Sequence, residues 1–162
     1  MSLIAIDSNV FLRLVFEETG WEHCGKLLDS VYAGEHDAVI SAIQISELYT
    51  PFERAKDDEV KQKIAEEIEK SRIRIRVVDE EIGKISARIR STQRTPLGDW
   101  LALADSIILA TALKEEAETF YTLDSDFLRV KEKIKIAAPD MPIEEWARIY
   151  GYQKKRKMKQ PR

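Results

Sequence analysis

The residues best placed to do chemistry in this chain are four carboxylates, Asp7, Glu47, Asp105 and Asp124. Asp7 ends the apolar run Leu3-Ile4-Ala5-Ile6, and Asp124 ends Thr119-Phe120-Tyr121-Thr122-Leu123, a stretch with strand character. Glu47 and Asp105 each interrupt an apolar, helix-like segment. A carboxylate just past a buried strand lies at the carboxyl edge of a sheet, where open α/β folds bind ligands. Several acids gathered there repel one another, so the cluster costs stability unless a cation fills it. A hard divalent cation held by oxygen ligands is the simplest chemistry for such a set.

Taken singly, each acid also has an ordinary explanation. Asp7 opens the triplet Asp7-Ser8-Asn9 and can cap a helix. Glu47 can be an exposed helical glutamate. Asp124 and Asp126 flank Ser125, and one can bind metal while the other caps the following turn; Asp99 reads as a cap as well. Asp105 is the most telling, because no other charge occurs from Leu101 to Leu113. A carboxylate on so apolar a helix is costly to bury unpaired.

The elements that must position these acids follow from periodicity. Residues 3–7 read as a buried strand, and Asn9–Phe16 as the start of the first helix. Trp21–Ala33 carries Leu27, Leu28 and Val31 at helical spacing, and Gly34 ends it. Ala38–Ala42 is a second strand, and Ser41 is placed to cap the helix containing Glu47. Pro51 is expected to kink that helix or start the next. Residues 52–71 repeat Val60, Ile64 and Ile68 at intervals of four. In Arg72–Val78, Ile73, Ile75 and Val77 alternate with Arg72, Arg74 and Arg76, which predicts a strand with its arginines toward solvent. Residues 80–92 form a helix with Ile82, Ile85 and Ile89 facing in. A loop with Pro96 and Gly98 leads to the most apolar helix, Trp100–Ala117. Phe120–Leu123 is a strand, Asp126-Phe127 opens a helical turn, and Lys133–Ala137 is a last strand. Strands separated by helices predict a mostly parallel sheet covered on both faces.

At 162 residues the chain fits one domain with a sizeable core, and 44% hydrophobic content fits a globular protein. No apolar run approaches a membrane span, and no leader-like segment opens the sequence, so a cytoplasmic location without membrane contact is expected. The single Cys24 excludes an intrachain disulfide and a cysteine zinc cluster, and beside His23 it reads as helix packing. Net charge is −3 but uneven. Residues 154–162 hold six basic side chains and no acid, which leaves the rest with 20 basic and 29 acidic residues, net −9. The chain divides accordingly into an acidic domain, residues 1–150, and a basic tail, residues 151–162. The tail suits sequence-independent phosphate contacts through Lys154, Lys155, Arg156 and Lys157, with a solvated arm as its ordinary reading.

The ordered set Ile6-Asp7-Ser8-Asn9-Val10, Ser46-Glu47-Leu48, Ala104-Asp105-Ser106-Ile107-Ile108-Leu109-Ala110-Thr111-Ala112 and Thr122-Leu123-Asp124-Ser125-Asp126-Phe127 resembles the PIN-domain ribonucleases. It looks most like the toxin subunit of the VapBC toxin–antitoxin pairs, over about Leu3 to Ala137. The resemblance implies a Rossmann-like, three-layer α/β/α sandwich whose acidic pocket binds one or two Mg²⁺ or Mn²⁺ ions and hydrolyses RNA. By that likeness Asp7, Glu47 and Asp105 match the three central acids, and Asp124 the more variable fourth, with Asp126 a substitute. Ser8 and Asn9 match the polar positions after the first acid, and Thr122 the hydroxyl before the fourth. Arg13, Arg94 and the tail are candidates to meet the RNA. The resemblance also implies an antitoxin partner and a homodimer. The basic extension after Trp146 is longer than such toxins need, which leaves a housekeeping RNA-processing role open.

Rival readings are a PIN-like module that binds RNA or protein without cutting, a phosphotransfer enzyme and a flap-type DNA nuclease. The first predicts an incomplete set of acids. The second wants a second acid two residues past Asp7, where Asn9 stands. The third is usually larger and more acidic. No histidine lies near the motifs, which argues against histidine-based RNA cleavage.

Overall fold

β1 (Ser2–Ile6) lies at the centre of a five-stranded sheet of order β3-β2-β1-β4-β5, in which every pairing is parallel. Its partners are β2 (His36–Ser41) and β4 (Thr119–Tyr121); β3 (Arg74–Arg76) and β5 (Lys135–Ala137) form the edges. The chain winds from β1 to β2 and β3 on one side, then crosses back to β4 and β5 on the other. The gap between the carboxyl ends of β1 and β4 is therefore a topological switch point, where open α/β sheets bind their ligands. The computed structural model describes residues 2–158, with side chains through Gly151.

Alternation along the strands builds two cores. Ile4 and Ile6 of β1, with Ala38 and Ile40 of β2, face one helical layer: α1 (Ser8–Val15), α2 (Trp21–Tyr32), α3 (Ile43–Ala55) and α4 (Asp58–Lys70). Ala5, Val39 and Phe120 face the other, built from α5 (Glu80–Thr92) and α6 (Leu103–Lys114). The result is the expected three-layer α/β/α sandwich, here with an entirely parallel sheet.

Several local expectations are corrected. α3 is not capped by Ser41: its N-cap is Ala42, and the Ser41 hydroxyl has no hydrogen-bond partner among the described residues. The Gln44 side chain, from the first turn, accepts the Ser41 N–H at 2.8 Å instead. Pro51 lies inside α3 and does not start the next helix. β3 is short, and Ile75 and Val77 are exposed while Ile73 is buried. As an edge strand β3 has a neighbour on one side only, and Arg76 bends back to Asp79 (2.9 Å) and Glu115 (2.8 Å). α6 starts at Leu103 and not Trp100, because Trp100 bridges back to Arg94 and Ala102 is extended.

A seventh helix, α7 (Ile143–Met158), was not anticipated. Its signals are present: Pro142 just before it, Glu144 and Glu145 in its first turn, and Ile143 and Trp146 on its buried side. The basic run masked them. α7 continues through the expected start of the tail, while the side chains of Lys154, Lys155, Arg156 and Lys157 lie outside the described residues, as does everything from 159 to 162.

Candidate metal-binding active site

Asp7 follows the last residue of β1 and caps α1: its backbone is extended, and Oδ1 accepts the Ser8 N–H at 2.8 Å. Its other oxygen accepts from Thr122 Oγ1 at 2.7 Å and from Asn9 Nδ2 at 3.3 Å. Thr122, one residue past β4, thereby ties the two strands together across the switch point. Asn9 strengthens the tie, its Oδ1 accepting the Leu123 N–H at 3.2 Å. The cap expected of Asp7 is thus real, and it aims the carboxylate over the sheet edge.

Glu47 comes from α3, and its Oε1 accepts from Ser8 Oγ at 2.7 Å. Behind them stands Gln44, buried at 1% exposure, whose Nε2 donates to the Ile6 carbonyl at 2.8 Å and to Ser8 Oγ at 3.3 Å. Gln44 was missed as a site residue. The available signal was a lone amide in the apolar stretch Ala42-Ile43-Gln44-Ile45, three residues ahead of Glu47. Such a residue is buried only when its hydrogen-bonding groups are used.

Asp105 enters from the first turn of α6, where helix dipole and free N–H groups favour negative charge. Asp124 caps the short 3-10 turn Ser125–Phe127, accepting the Asp126 N–H at 2.9 Å, and its own N–H donates to Thr122 Oγ1 at 3.1 Å. Asp105, Asp124 and Asp126 each offer a carboxylate oxygen, all within 4.8 Å of one another. That spacing is close to the roughly 3–4.2 Å between ligand atoms around an octahedral Mg²⁺ with bonds of about 2.1 Å. Asp126 therefore stands inside the cluster together with Asp124.

The electrostatics show how tightly the acids are gathered. Burial pushes the Asp7 carboxyl up from its ordinary 3.8 to about 7, with the charges of Glu47 and Asp124 adding to the effect and hydrogen bonds from Thr122 and Ser8 opposing it. Asp105 is likewise raised to about 7, first by burial and then by Asp7, Asp124, Glu47 and Asp126. A buried, all-oxygen donor set whose acids repel one another when ionised fits a hard divalent cation, and it fits no thiolate- or imidazole-seeking metal.

The remaining candidates lie elsewhere. Arg13 is buried, donates to the Thr19 carbonyl at 3.0 Å and lies over the Trp146 ring, 5.6 Å from its centroid. These contacts pack α1 against α7 through the guanidinium. Arg94 is exposed beside the amino end of α6, stacked on Trp100. Cys24 is buried and its thiol is pushed up to about 12 by that burial, in keeping with packing. His23 pairs with Asp140 at 2.8 Å.

A parallel α/β sandwich with an acidic pocket at its switch point defines the class, and the PIN domain family profile matches residues 4–133. The chain belongs to the PIN domain family, whose members are generally nucleases. Solved structures agree with the fold. A chain of a toxin–antitoxin complex from Klebsiella pneumoniae superposes with a TM-score of 0.61 at 19% identity, over 87% of this chain and 99% of that one. A chain of VapBC2 from Rickettsia felis, bound to a DNA fragment from its promoter, gives 0.62 at 19% identity, over 85% and 99%. A chain of FitAcB from Neisseria gonorrhoeae gives 0.59 at 26% identity, over 84% and 97%. No curated protein sequence gives a significant match.

Proposed function

We propose that this protein is a metal-dependent endoribonuclease and the toxin of a toxin–antitoxin pair. The observation that carries the reading is the convergence of Asp7, Glu47, Asp105, Asp124 and Asp126 at the carboxyl edge of β1 and β4, where burial first and the neighbouring acids second raise Asp7 and Asp105 to about 7. Asp105, Asp124 and Asp126 would hold one Mg²⁺ or Mn²⁺, with Asp7 and Glu47 completing the site or taking part in a second. When bound, the ion supplies a water of lowered pKa and countercharge for the phosphate.

The chain's own residues give that site its shape. Thr122, Asn9 and the Ser8 N–H fix both oxygens of Asp7. Ser8 and Gln44 fix Glu47 from behind. Asp7 and Asp105 would give up their protons as the ion enters, so loading is coupled to pH. Single-stranded or looped RNA is the substrate class, because a splayed backbone can enter such an edge pocket. The basic run at 154–157 would meet its phosphates.

An antitoxin is the proposed protein partner, a homodimer the proposed assembly and the cytoplasm the proposed location. The superposing chain of a toxin–antitoxin complex from Klebsiella pneumoniae supports the first. An apolar groove of about 400 Å³ between α1, α2 and α4, lined by Phe11, Leu14, Leu28, Val60 and Ile64, is a surface such a partner would cover. Among the described residues no helix is long and apolar enough to cross a membrane.

Induced expression in a bacterial host tests the toxin role. The wild type is expected to arrest growth with new RNA fragments, and Asp105→Asn, made to the same level, is expected to do neither. Equal growth of cells with the two proteins would count against it.

A further inference from the structure

The loop ahead of α6 and the first residue of that helix present three exposed large apolar side chains close together in sequence. Trp100 is 48% exposed, Leu97 86% and Leu103 55%, in a protein that otherwise buries most of its large apolar side chains. Arg94 lies over the Trp100 ring with its guanidinium carbon 3.1 Å from the centroid. Its Nη1 donates to the Gly98 carbonyl at 2.9 Å, and Arg90 Nε reaches the Leu101 carbonyl at 3.4 Å. The loop is a tight, braced turn: Thr95 N–H donates to Asp99 at 2.8 Å, Gly98 N–H to Thr95 at 2.9 Å, and Arg94 and Trp100 form an antiparallel bridge. Gly98, at φ 89°, occupies a left-handed conformation that favours glycine. The aromatic is thus held ready, with little ordering left to lose on binding.

We infer that Trp100 and Arg94 form a stacking platform for an unpaired base of the RNA strand that enters the acidic pocket. This rests on the ribonuclease reading and adds a base-stacking site to it. Trp100 is five residues ahead of Asp105, which limits their Cα separation to about 15 Å. Flat π-faces and guanidinium planes are what single-stranded RNA uses for affinity, and arginines beside them meet its phosphates. The platform also carries positive charge. The pocket repels a polyanion, and Arg90 and Arg94 contribute two cations to the loop that leads into the Asp105 helix. A second copy of this chain is a poorer occupant, because a two-fold contact centred on this patch would bring like arginines together.

The test measures binding of a short fluorescein-labelled oligoadenylate RNA by anisotropy in EDTA, together with steady-state cleavage of an RNA the wild type cuts. Trp100→Ala is expected to weaken binding about tenfold or more and to raise KM with kcat retained, while Trp100→Phe stays near wild type. The salt dependence should be unchanged in Trp100→Ala, since the indole neutralises no phosphate, and flatter in Arg94→Ala. Wild-type affinity and KM in a folded Trp100→Ala protein would overturn the platform alone. So would conversion of a dimer to a monomer, by sedimentation, with RNA affinity intact, since the patch would then be an interface between copies. A wild type that neither binds nor cuts RNA overturns the ribonuclease reading and the platform with it.

Discussion

Gln44 shows how the site is held at the level of single residues. One buried amide satisfies the Ile6 carbonyl, the Ser41 N–H and the Ser8 hydroxyl, and through Ser8 it steadies Glu47. Gln44→Ala would leave two buried backbone groups unpartnered, at about 1–3 kcal/mol each. We expect a fall in the denaturation midpoint of that order in chemical unfolding, and cleavage reduced beyond what the smaller fraction of folded protein explains. Asp7 and Asp105 make a pH prediction. Their folded carboxyls sit near 7, above the ordinary 3.8, so the folded state keeps protons that the unfolded chain has already released. Their contribution to stability is complete below about pH 4 and is lost as pH rises through about 7. The metal-free protein should therefore melt lower at pH 8 than at pH 6, and Mg²⁺ should reverse much of the loss. In EDTA at pH 8, Asp105→Asn should melt above the wild type; a lower melt would show that ionising the buried Asp105 carboxyl costs the fold little. The acids themselves were legible in sequence, since a charge within Leu101–Leu113 and an Asp closing a buried strand each need a reason. Gln44 was not, because its value depends on three partners, from Ile6 to Ser41, brought together only by the fold. The burial of Arg13 was hidden for a similar reason: a cation on an amphipathic helix looks solvent-facing until a later helix covers it with Trp146.

At the scale of elements, strand and helix order could be read because each has its own apolar period, while the caps Asp57 and Asp79 that start α4 and α5 were passed over. What failed were the ends and the edge. β3 was over-extended because alternation reports which face a residue takes and not where pairing stops, and this strand pairs only over Arg74–Arg76, while α7 was hidden under a charge run. α7 is nevertheless an integral part of the first core through Trp146. It packs on the α1–α2 corner at Gly20, where φ is 92° and an added Cβ would lie 2.7 Å from Trp146 Cη2. Gly20→Ala should accordingly destabilise the fold by about 1–3 kcal/mol, read as a lower urea midpoint with unchanged slope. A neutral result would mean that α7 yields easily at this corner.

For the whole molecule, the tension is between an acidic body and a polyanionic substrate. Residues 154–162 carry six of the 26 basic side chains. Their removal is expected to weaken RNA binding and to flatten its dependence on salt by roughly 0.7 in log–log slope for each phosphate those side chains neutralise. Unchanged affinity and slope would leave the run without a role in RNA binding. The central claim is that the carboxylates at the switch point hold a divalent cation that RNA hydrolysis requires. The most direct measurement is cleavage of a structured RNA pool by the purified, partner-free protein with Mg²⁺, with Mn²⁺ and with EDTA, comparing wild type with Asp7→Asn and Asp105→Asn. The account predicts cuts that depend on the metal and fall at least a hundredfold in both variants, about 2.7 kcal/mol or more of transition-state stabilisation. Cutting that persists in EDTA, or that survives in either folded variant, would contradict it.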